Sequence, residues 1–458
     1  MLVHRHGDRS PVHAISGVRL DLSAAQLAAD WPSGAGELTA LGMRQLERLG
    51  RALRLRYGVA APGSPPALLS GAWDPRQYRA RSSDVHRTLQ SAQSLLVGLF
   101  PPGSGPNLSL PLDDRYSSLG PDGPALPLGL QPVPVSSVPV EEDWLLVGRD
   151  YAAAHCPSFA ASLDRVRSSA DWRSKGSSAP VASLLRRLAD ATLSAPQSPS
   201  APLSMLNVTA LFDVLNCYDA HGLLTDRFPG VSREDLAALY QLYCWQLSLE
   251  YSAELSCVAT GPLLHLVTDH LSAVAAFLDR PEGSVAPAPF RFLHFSGHDT
   301  TLWSLMGALL SGLPESLEVP YASHVEFELW SAPSVPARTA SRYVAVLFND
   351  HPVSLPACGG AVRCPLETFL TVFSQCGRRR HEEDAVLCGA APSCAPEAEA
   401  EQRRAVSALA AALAVALAAV GAALAVALWR LRSASRSTRA PHPSAAAGTY
   451  EPVRLVEL

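Results

Sequence analysis

The chain has 458 residues, 48% of them hydrophobic and 17% charged, with 12 Phe, 11 Tyr and 8 Trp, which supplies a large core and excludes a wholly disordered, collagenous, coiled-coil or multispan membrane protein. Its 37 basic and 42 acidic residues leave a formal charge of −5, so no global field collects nucleic acid and any anion site is built locally. This length suits one large domain or two medium ones with appendages.

In chain order, a short apolar run leads into Arg5-His6-Gly7-Asp8-Arg9-Ser10-Pro11, where two guanidinium groups flank an imidazole and a glycine lets the backbone turn tightly. Thr39 to Tyr57 carries Leu41, Leu46, Leu49, Leu53 and Tyr57 at helical spacing, with Thr39 as cap. The stretch from Val59 to Trp73 reads as loop. Arg79-Ala-Arg81-Ser-Ser-Asp84-Val-His86-Arg87-Thr88 enters a second helix, Asp84 to Phe100. Gly103 to Pro139 and Ser194 to Pro202 are rich in Pro, Gly and Ser and are read as loops. Helices are predicted at Asn207 to Cys217, Arg233 to Leu249, Pro262 to Leu278 and Thr300 to Leu310, and strands at Phe290 to Phe295, His324 to Leu329 and Tyr343 to Phe348. Strands spread among more numerous helices point to an α/β sheet with a large helical insertion. Between a strand and a helix stands Ser296-Gly297-His298-Asp299-Thr300-Thr301, and such junctions are where open α/β sheets place their sites.

Ala405 to Leu428 is 24 residues without a charge: 13 Ala, 5 Leu, 4 Val, one Gly and one Ser. At helical rise it spans about 36 Å, enough to cross a bilayer core. An Ala-rich buried soluble helix is the alternative. Trp429 and Arg430, Arg432, Arg436 and Arg439 follow, while Glu397, Glu399 and Glu401 precede, which orients residues 1–404 away from the cytosol. The expected plan is residues 1–390 as the main domain, with a helical insertion at roughly 140–260. A linker at 391–404, a transmembrane helix at 405–428 and a cytosolic tail at 429–458 complete it. This orientation calls for a signal peptide, and the sequence opens instead on Met-Leu-Val-His. Asn107-Leu-Ser and Asn207-Val-Thr are glycosylation acceptors on the secretory route. Nine cysteines lack paired CxxC spacing, which argues against a zinc ribbon. Four of them, Cys358, Cys364, Cys388 and Cys394, crowd a stretch near the end of the main domain, where disulfides commonly stand in for packing.

Arginine presents donor forks that match phosphate oxygens, so two of them beside one histidine suit a tetrahedral oxyanion. The segments resemble the histidine acid phosphatases, a branch of the phosphoglycerate-mutase-like superfamily. The signature Arg-His-Gly-x-Arg-x-Pro is met by Arg5 to Pro11 and the distal His-Asp by His298-Asp299. Trp31-Pro32, Gly36 to Gly42, Arg81 to Thr88, Gln131 to Asp143, Pro320 to Ser323 and Leu355 to Cys358 look like the vertebrate lysosomal, prostatic and testicular members. A terminal span points to the lysosomal or testicular type.

The resemblance implies a phosphoglycerate-mutase-like α/β domain with a helical insertion domain and a C-terminal transmembrane helix. It implies an acid phosphatase that hydrolyses phosphate monoesters through a phosphohistidine. His6 is then the nucleophile, Asp299 the proton donor, and Arg5, Arg9, Arg81 and His298 the substrate-binding groups. No metal or other cofactor is required, because guanidinium groups neutralise the phosphoryl charge. A single-pass type I location, at a lysosomal membrane or the cell surface, follows from the same comparison. The expected partners are the phosphate monoester and the membrane, with a homodimer left open and no nucleic acid. Two alternatives stay open: a catalytically weak membrane glycoprotein that uses the fold for binding, and an inositol polyphosphate phosphatase.

The family's disulfides imply Cys156 with Cys388 and Cys358 with Cys364. Cys217 matches a third family cysteine, but its expected partner position carries His324, leaving Cys244, Cys257, Cys376 or Cys394 as candidates. The strand before the signature is expected to be truncated. In the tail, Tyr450-Glu-Pro-Val453 resembles a Tyr-x-x-apolar sorting signal.

Overall fold

The computed structural model describes residues 1–12, 22–58, 67–107, 123–193, 203–280, 287–331 and 341–377. The chain divides into two compact units, Met1–Ala391 and Pro392–Leu458. The expected linker, transmembrane helix 405–428 and tail, with Tyr450 and Val453, lie outside the described residues, as do Cys388, Cys394 and the loop Ser194 to Pro202.

The elements in order are β1 (Leu2–Arg5), α1 (Ala24–Asp30), α2 (Ala40–Leu53), β2 (Tyr78–Ser82), α3 (His86–Leu99) and β3 (Val135–Ser136). Helices α4 (Gly148–His155), α5 (Pro157–Arg167), α6 (Ala170–Ser177), α7 (Ala179–Thr192), α8 (Val208–Ala220), α9 (Leu224–Arg227), α10 (Arg233–Glu250) and α11 (Ala253–Leu278) follow. The chain closes with β4 (Phe292–Gly297), α12 (Asp299–Leu309), β5 (His324–Ser331), β6 (Arg342–Phe348), β7 (His351–Pro352), β8 (Cys364–Pro365) and α13 (Leu366–Gly377).

The strands form one sheet in the order β3-β2-β4-β1-β5-β6-β7, with β8 also on β6. Short as it is, β1 lies in the interior, parallel to β4 in the register Leu2↔His294 and antiparallel to β5 in the register Val3↔Val325. Strands β2, β4 and β1 run parallel, so their carboxyl ends, with the segments that follow them, open on one edge. Alternation along each strand assigns the two faces. Leu2, Tyr78, Ala80 and Phe292 pack with α2 and α3, while Val3, Leu293, Phe295, Val325 and Val344 face the larger core shared with α8, α10, α11, α12 and α13.

Most predicted helices occur close to their expected bounds. Thr39 caps α2 by accepting the Gly42 amide hydrogen, and a π-turn at Arg54–Gly58 continues the expected stretch. Helix α11 differs: it begins at Ala253 under a Ser252 cap and carries Pro262 inside rather than at its start. The expected insertion boundary near residue 260 therefore falls within an unbroken helix. Among the described residues, α11 is the helix long and apolar enough to cross a membrane by composition. Its Leu263, Leu264, Val267 and Leu271 are nevertheless buried in the protein core, and Cys257 bonds to Cys376 of α13.

Cysteine pairing departs from expectation at one place. Cys358 and Cys364 are bridged, and Cys156 is disulfide-bonded. Cys217, expected in a disulfide, is instead a free buried thiol. Cys257 and Cys376 are taken by each other, Cys244 is also free, and position 324 carries an imidazole.

Beneath the sheet edge, a buried row of polar groups is fully allocated. Tyr78 donates its hydroxyl hydrogen to Nδ1 of His294 at 2.6 Å, and the two Nε2 atoms of His294 and His4 lie 2.8 Å apart. His4 Nδ1 is 2.9 Å from the Arg5 carbonyl oxygen, which only accepts. Each ring then carries one proton and both stay neutral. Burial brings the His4 pKa down to about 4 and holds His294 well below the ordinary 6.5. The unfolded chain thus binds more protons than the folded one between about pH 6.5 and 4. Stability from these rings is complete above about pH 6.5 and is lost as pH falls towards 4. We expect the urea midpoint to drop steadily from pH 7 to pH 4.5; an equal midpoint at both pH values would contradict neutral burial of the histidines.

Candidate active site

The segment after β1 is held on all sides by backbone hydrogen bonds. The Arg5 amide donates to Ser323 O at 2.8 Å, His6 N to Gly297 O at 3.0 Å, and Ala322 N to His6 O at 3.0 Å. Gly7 N donates to Ser91 Oγ at 3.1 Å and Asp8 N to Gln45 Oε1 at 2.8 Å. Gly7 is needed here for proximity rather than for a left-handed turn: a Cβ on it would stand 2.4 Å from Gly42 O, and one on Gly42 would stand 2.2 Å from Asp8 O. The loop lies directly on the first turn of α2.

His6 is buried, and its Nδ1 lies 2.8 Å from the Gly7 carbonyl oxygen. That oxygen only accepts, so the proton sits on Nδ1 and Nε2 keeps its lone pair. Arg5 binds Asp299 at 2.8 Å through Nη2 and Val319 O at 2.6 Å through Nη1, with its guanidinium 4.2 Å from the Tyr321 ring centroid. Arg9 binds Asp213 at 2.7 Å, and the second Asp213 oxygen accepts the Val12 amide hydrogen at 3.0 Å. His298 caps α12, with Asp299 the first residue of that helix. The Nε2 of His298 lies 2.9 Å from Ser83 Oγ, and its Nδ1 lies 3.4 Å from Arg87 Nη2. Arginine only donates, so His298 Nδ1 accepts and Nε2 carries the proton.

These groups line one cavity of about 800 Å³. The local charge is strongly positive. Burial, reinforced by Arg5, Arg9, Arg87 and His298, holds the His6 pKa well below 6.5. Burial and Arg87 bring His298 down to about 3, and burial with Arg9 and Arg5 brings Arg87 down to about 10. For Asp299, burial pushes the pKa up, but Arg5, Arg9 and His298 outweigh it and leave the carboxyl below its ordinary 3.8. Crowded, partly uncompensated guanidinium groups around a neutral imidazole form a receptor for a tetrahedral dianion.

Five of the six expected groups meet here: His6, Asp299, Arg5, Arg9 and His298. Arg81 is the exception and needs correction. It lies on β2 and binds the buried Asp143 at 2.6 Å, whose same oxygen accepts from the Leu145 and Leu146 amides. It does not line the cavity, whereas Arg87, on the first turn of α3, does. Both arginines stand in the segment singled out in the sequence, and only the strand end at Ser82 decides between them. Sequence reasoning missed Asp213 and Tyr321 as well. Tyr321 falls in the matched Pro320 to Ser323 segment, but Asp213 lies on α8 with no local motif. The free Cys217 thiol sits beside them, 3.3 Å from the Tyr321 hydroxyl and 3.9 Å from Arg9 Nη1.

The profile of the histidine phosphatase superfamily (branch 2) matches residues 1–349. The chain belongs to that superfamily. Together with relatives named acid phosphatase, this membership makes the enzyme a phosphoric monoester hydrolase. Lysosomal acid phosphatase of Bos taurus is 30% identical over 379 residues, covering 81% of this chain and 75% of the bovine protein. Testicular acid phosphatase of Homo sapiens is 30% identical over 383 residues, covering 80% of this chain and 76% of that protein. Among solved structures, the phytase of Klebsiella sp ASR1 superposes with a TM-score of 0.54 at 18% identity, covering 82% of this chain and 93% of its own, which is a likeness of fold.

The branch 2 signature and the distal His-Asp thus share one cavity, and the third arginine provides a discriminating measurement. Arg87→Ala is expected to lower kcat/KM for a phosphate monoester by about 10²–10³ with the melting temperature little changed. Arg81→Ala leaves Asp143 buried without its cation, so it should lower the melting temperature while the folded enzyme keeps its kcat/KM within about threefold. Equal catalytic losses in the two variants would refute the assignment.

Proposed function

We propose that the protein is an acid phosphatase in which His6 attacks the phosphorus of a monoester and becomes a phosphohistidine. The observation that carries the proposal is the tautomer of His6: its Nδ1 proton is directed to the Gly7 carbonyl, leaving the Nε2 lone pair among Arg5, Arg9 and Arg87. These cations neutralise the non-bridging oxygens as charge shifts in phosphoryl transfer. They also keep the imidazole unprotonated in acid, where an ordinary histidine would be blocked.

Asp299 is the proton donor in this proposal. In the free enzyme the arginines favour its carboxylate form. A bound phosphoryl group brings negative charge among the same cations, offsets their pull and raises the Asp299 pKa. Donor competence therefore develops with substrate in place. The proton passes to the leaving alcohol, and the carboxylate then takes a proton from the water that hydrolyses the phosphoenzyme.

A simple monoester fits better than a polyphosphorylated inositol. Beyond the phosphoryl-binding arginines the cavity offers Phe212, Tyr240, Leu247 and Trp303, with Arg233 the other cation among its lining residues, and it also carries Asp150 and Glu318. A polyanion needs further cations, whereas this wall suits an aryl or aliphatic leaving group. Intact acid, base and anion-binding groups favour turnover over the non-catalytic alternative. The same proposal takes residues 405–428 as a single span, with the catalytic domain lumenal or extracellular. The name of the lysosomal relative agrees with a lysosomal location. Of the two sequons, Asn107 is the better acceptor. It is exposed, while the Asn207 carboxamide oxygen accepts from the Ser204 amide at 2.8 Å.

Hydrolysis of an aryl phosphate is expected to peak at about pH 4–6 and fall towards pH 8 as Asp299 loses its proton; a flat profile through pH 8 would overturn the assigned roles. An acid-quenched reaction should trap a phosphoenzyme in the parent and none in His6→Ala. Asp299→Asn should slow substrates with poor leaving groups by at least about tenfold more than those with good ones. Faster turnover of inositol hexakisphosphate than of the aryl ester, assayed with and without tartrate, would favour the inositol alternative.

A further inference from the structure

We propose that the protein binds a divalent transition-metal ion of the zinc class at His324, Glu326 and Asp350, outside the catalytic cavity. None of the three lines that cavity. His324 and Glu326 are the first and third residues of β5, and Asp350 lies in the tight turn between β6 and β7, where it adopts φ 67°. One ligand atom from each residue falls within 4.8 Å of the other two. His324 Nε2 stands 3.3 Å from Glu326 Oε1 and 3.7 Å from Asp350 Oδ1. Ligands bound tetrahedrally at zinc distances are separated by about 3.3 Å, so only small shifts are needed.

The second observation is the unused capacity of two buried atoms. His324 is 5% exposed and Glu326 2% exposed, and beyond their 3.3 Å contact with each other neither His324 Nε2 nor Glu326 Oε1 has a hydrogen-bond partner. Both lie within 4.8 Å of an oxygen of Asp350, which is itself exposed to solvent. The other Glu326 oxygen accepts from the Tyr57 hydroxyl, which holds the carboxylate in place as outer groups do around metal ligands. An imidazole with two carboxylates suits zinc and its neighbours in the first transition row, and the nitrogen disfavours calcium and magnesium.

The charge count points the same way. Glu326, Glu328 and Asp350 surround one guanidinium, Arg56, so carboxylates outnumber guanidinium groups in the cluster. Arg56 Nη1 is 3.2 Å from Asp350 and 3.7 Å from Glu326. It competes with the metal. Its side chain is about one-third exposed, so it can swing to solvent while Nη2 keeps its contact with Glu328 at 3.3 Å. A bound ion would tie β5 to the β6–β7 turn, next to the Tyr321–Ser323 segment that holds Arg5 and His6 by backbone hydrogen bonds. Its role is to brace that segment, without a part in phosphoryl transfer.

The test is titration of chelator-stripped full-length protein with ZnCl2 alone, followed by calorimetry and thermal melting. The parent should bind one equivalent and melt about 3 °C higher at a hundredfold excess over Kd. Asp350→Asn, a change at an exposed turn that leaves the fold intact, should weaken binding at least tenfold. Arg56→Gln should strengthen it. Titration with Co²⁺ should give visible ligand-field bands without a thiolate charge-transfer band, which separates this site from Cys217 and Cys244. The proposal fails if the parent binds no stoichiometric zinc at millimolar concentration, if Asp350→Asn binds as tightly as the parent, or if Arg56→Gln binds more weakly.

Discussion

Burying several guanidinium groups around one imidazole is the constraint to which the rest of the structure answers. Desolvated cations of like sign repel one another, and they persist only where carboxylates are fixed beside them. Asp299 and Asp213 meet that need for Arg5 and Arg9, and they come from opposite parts of the fold: α12, directly after a central strand, and α8, within the helical segment. Burial, reinforced by Arg9, lowers the Arg87 pKa even though Asp299 and Asp213 oppose it. The helical segment is therefore part of the electrostatics around His6 as well as a cover over the sheet.

Sheet topology explains why residues nearly three hundred positions apart can share this task. Parallel pairing of β1 with β4 aligns Arg5 with Gly297, so the segments after both strands emerge side by side. Antiparallel β5 then returns beside β1, and the loop before it supplies Tyr321 to the guanidinium faces of Arg5 and Arg9. Stacking on an aromatic face steadies a cation without neutralising it, which preserves its attraction for a dianion.

Much of this was legible in the sequence because the chemistry is concentrated in two short motifs at strand ends. His6, Arg5 and Arg9 are bound by local spacing, and His298-Asp299 marks its own junction. Arg81 and Arg87 were not separable in the same way. Their roles depend on whether the backbone at each is extended or helical, and a strand as short as Tyr78–Ser82 leaves little periodic signal. Asp213 had none at all, since a carboxylate on an amphipathic helix reads as solvent-facing until its partner is known. The Cys257–Cys376 bridge and the free Cys217 likewise depend on tertiary distances that sequence spacing does not encode.

The contact between Gly7 and Gly42 has a dynamic consequence. Two backbones that touch without intervening side chains cannot separate by a rotamer change; one chain segment must move as a whole. The loop bearing His6 accordingly shares the opening free energy of the helical layer formed by α2 and α3 rather than that of a surface loop. Amide hydrogens on the loop exchange with solvent only when that layer lifts, and the imidazole stays in register over the many substrate encounters between such events.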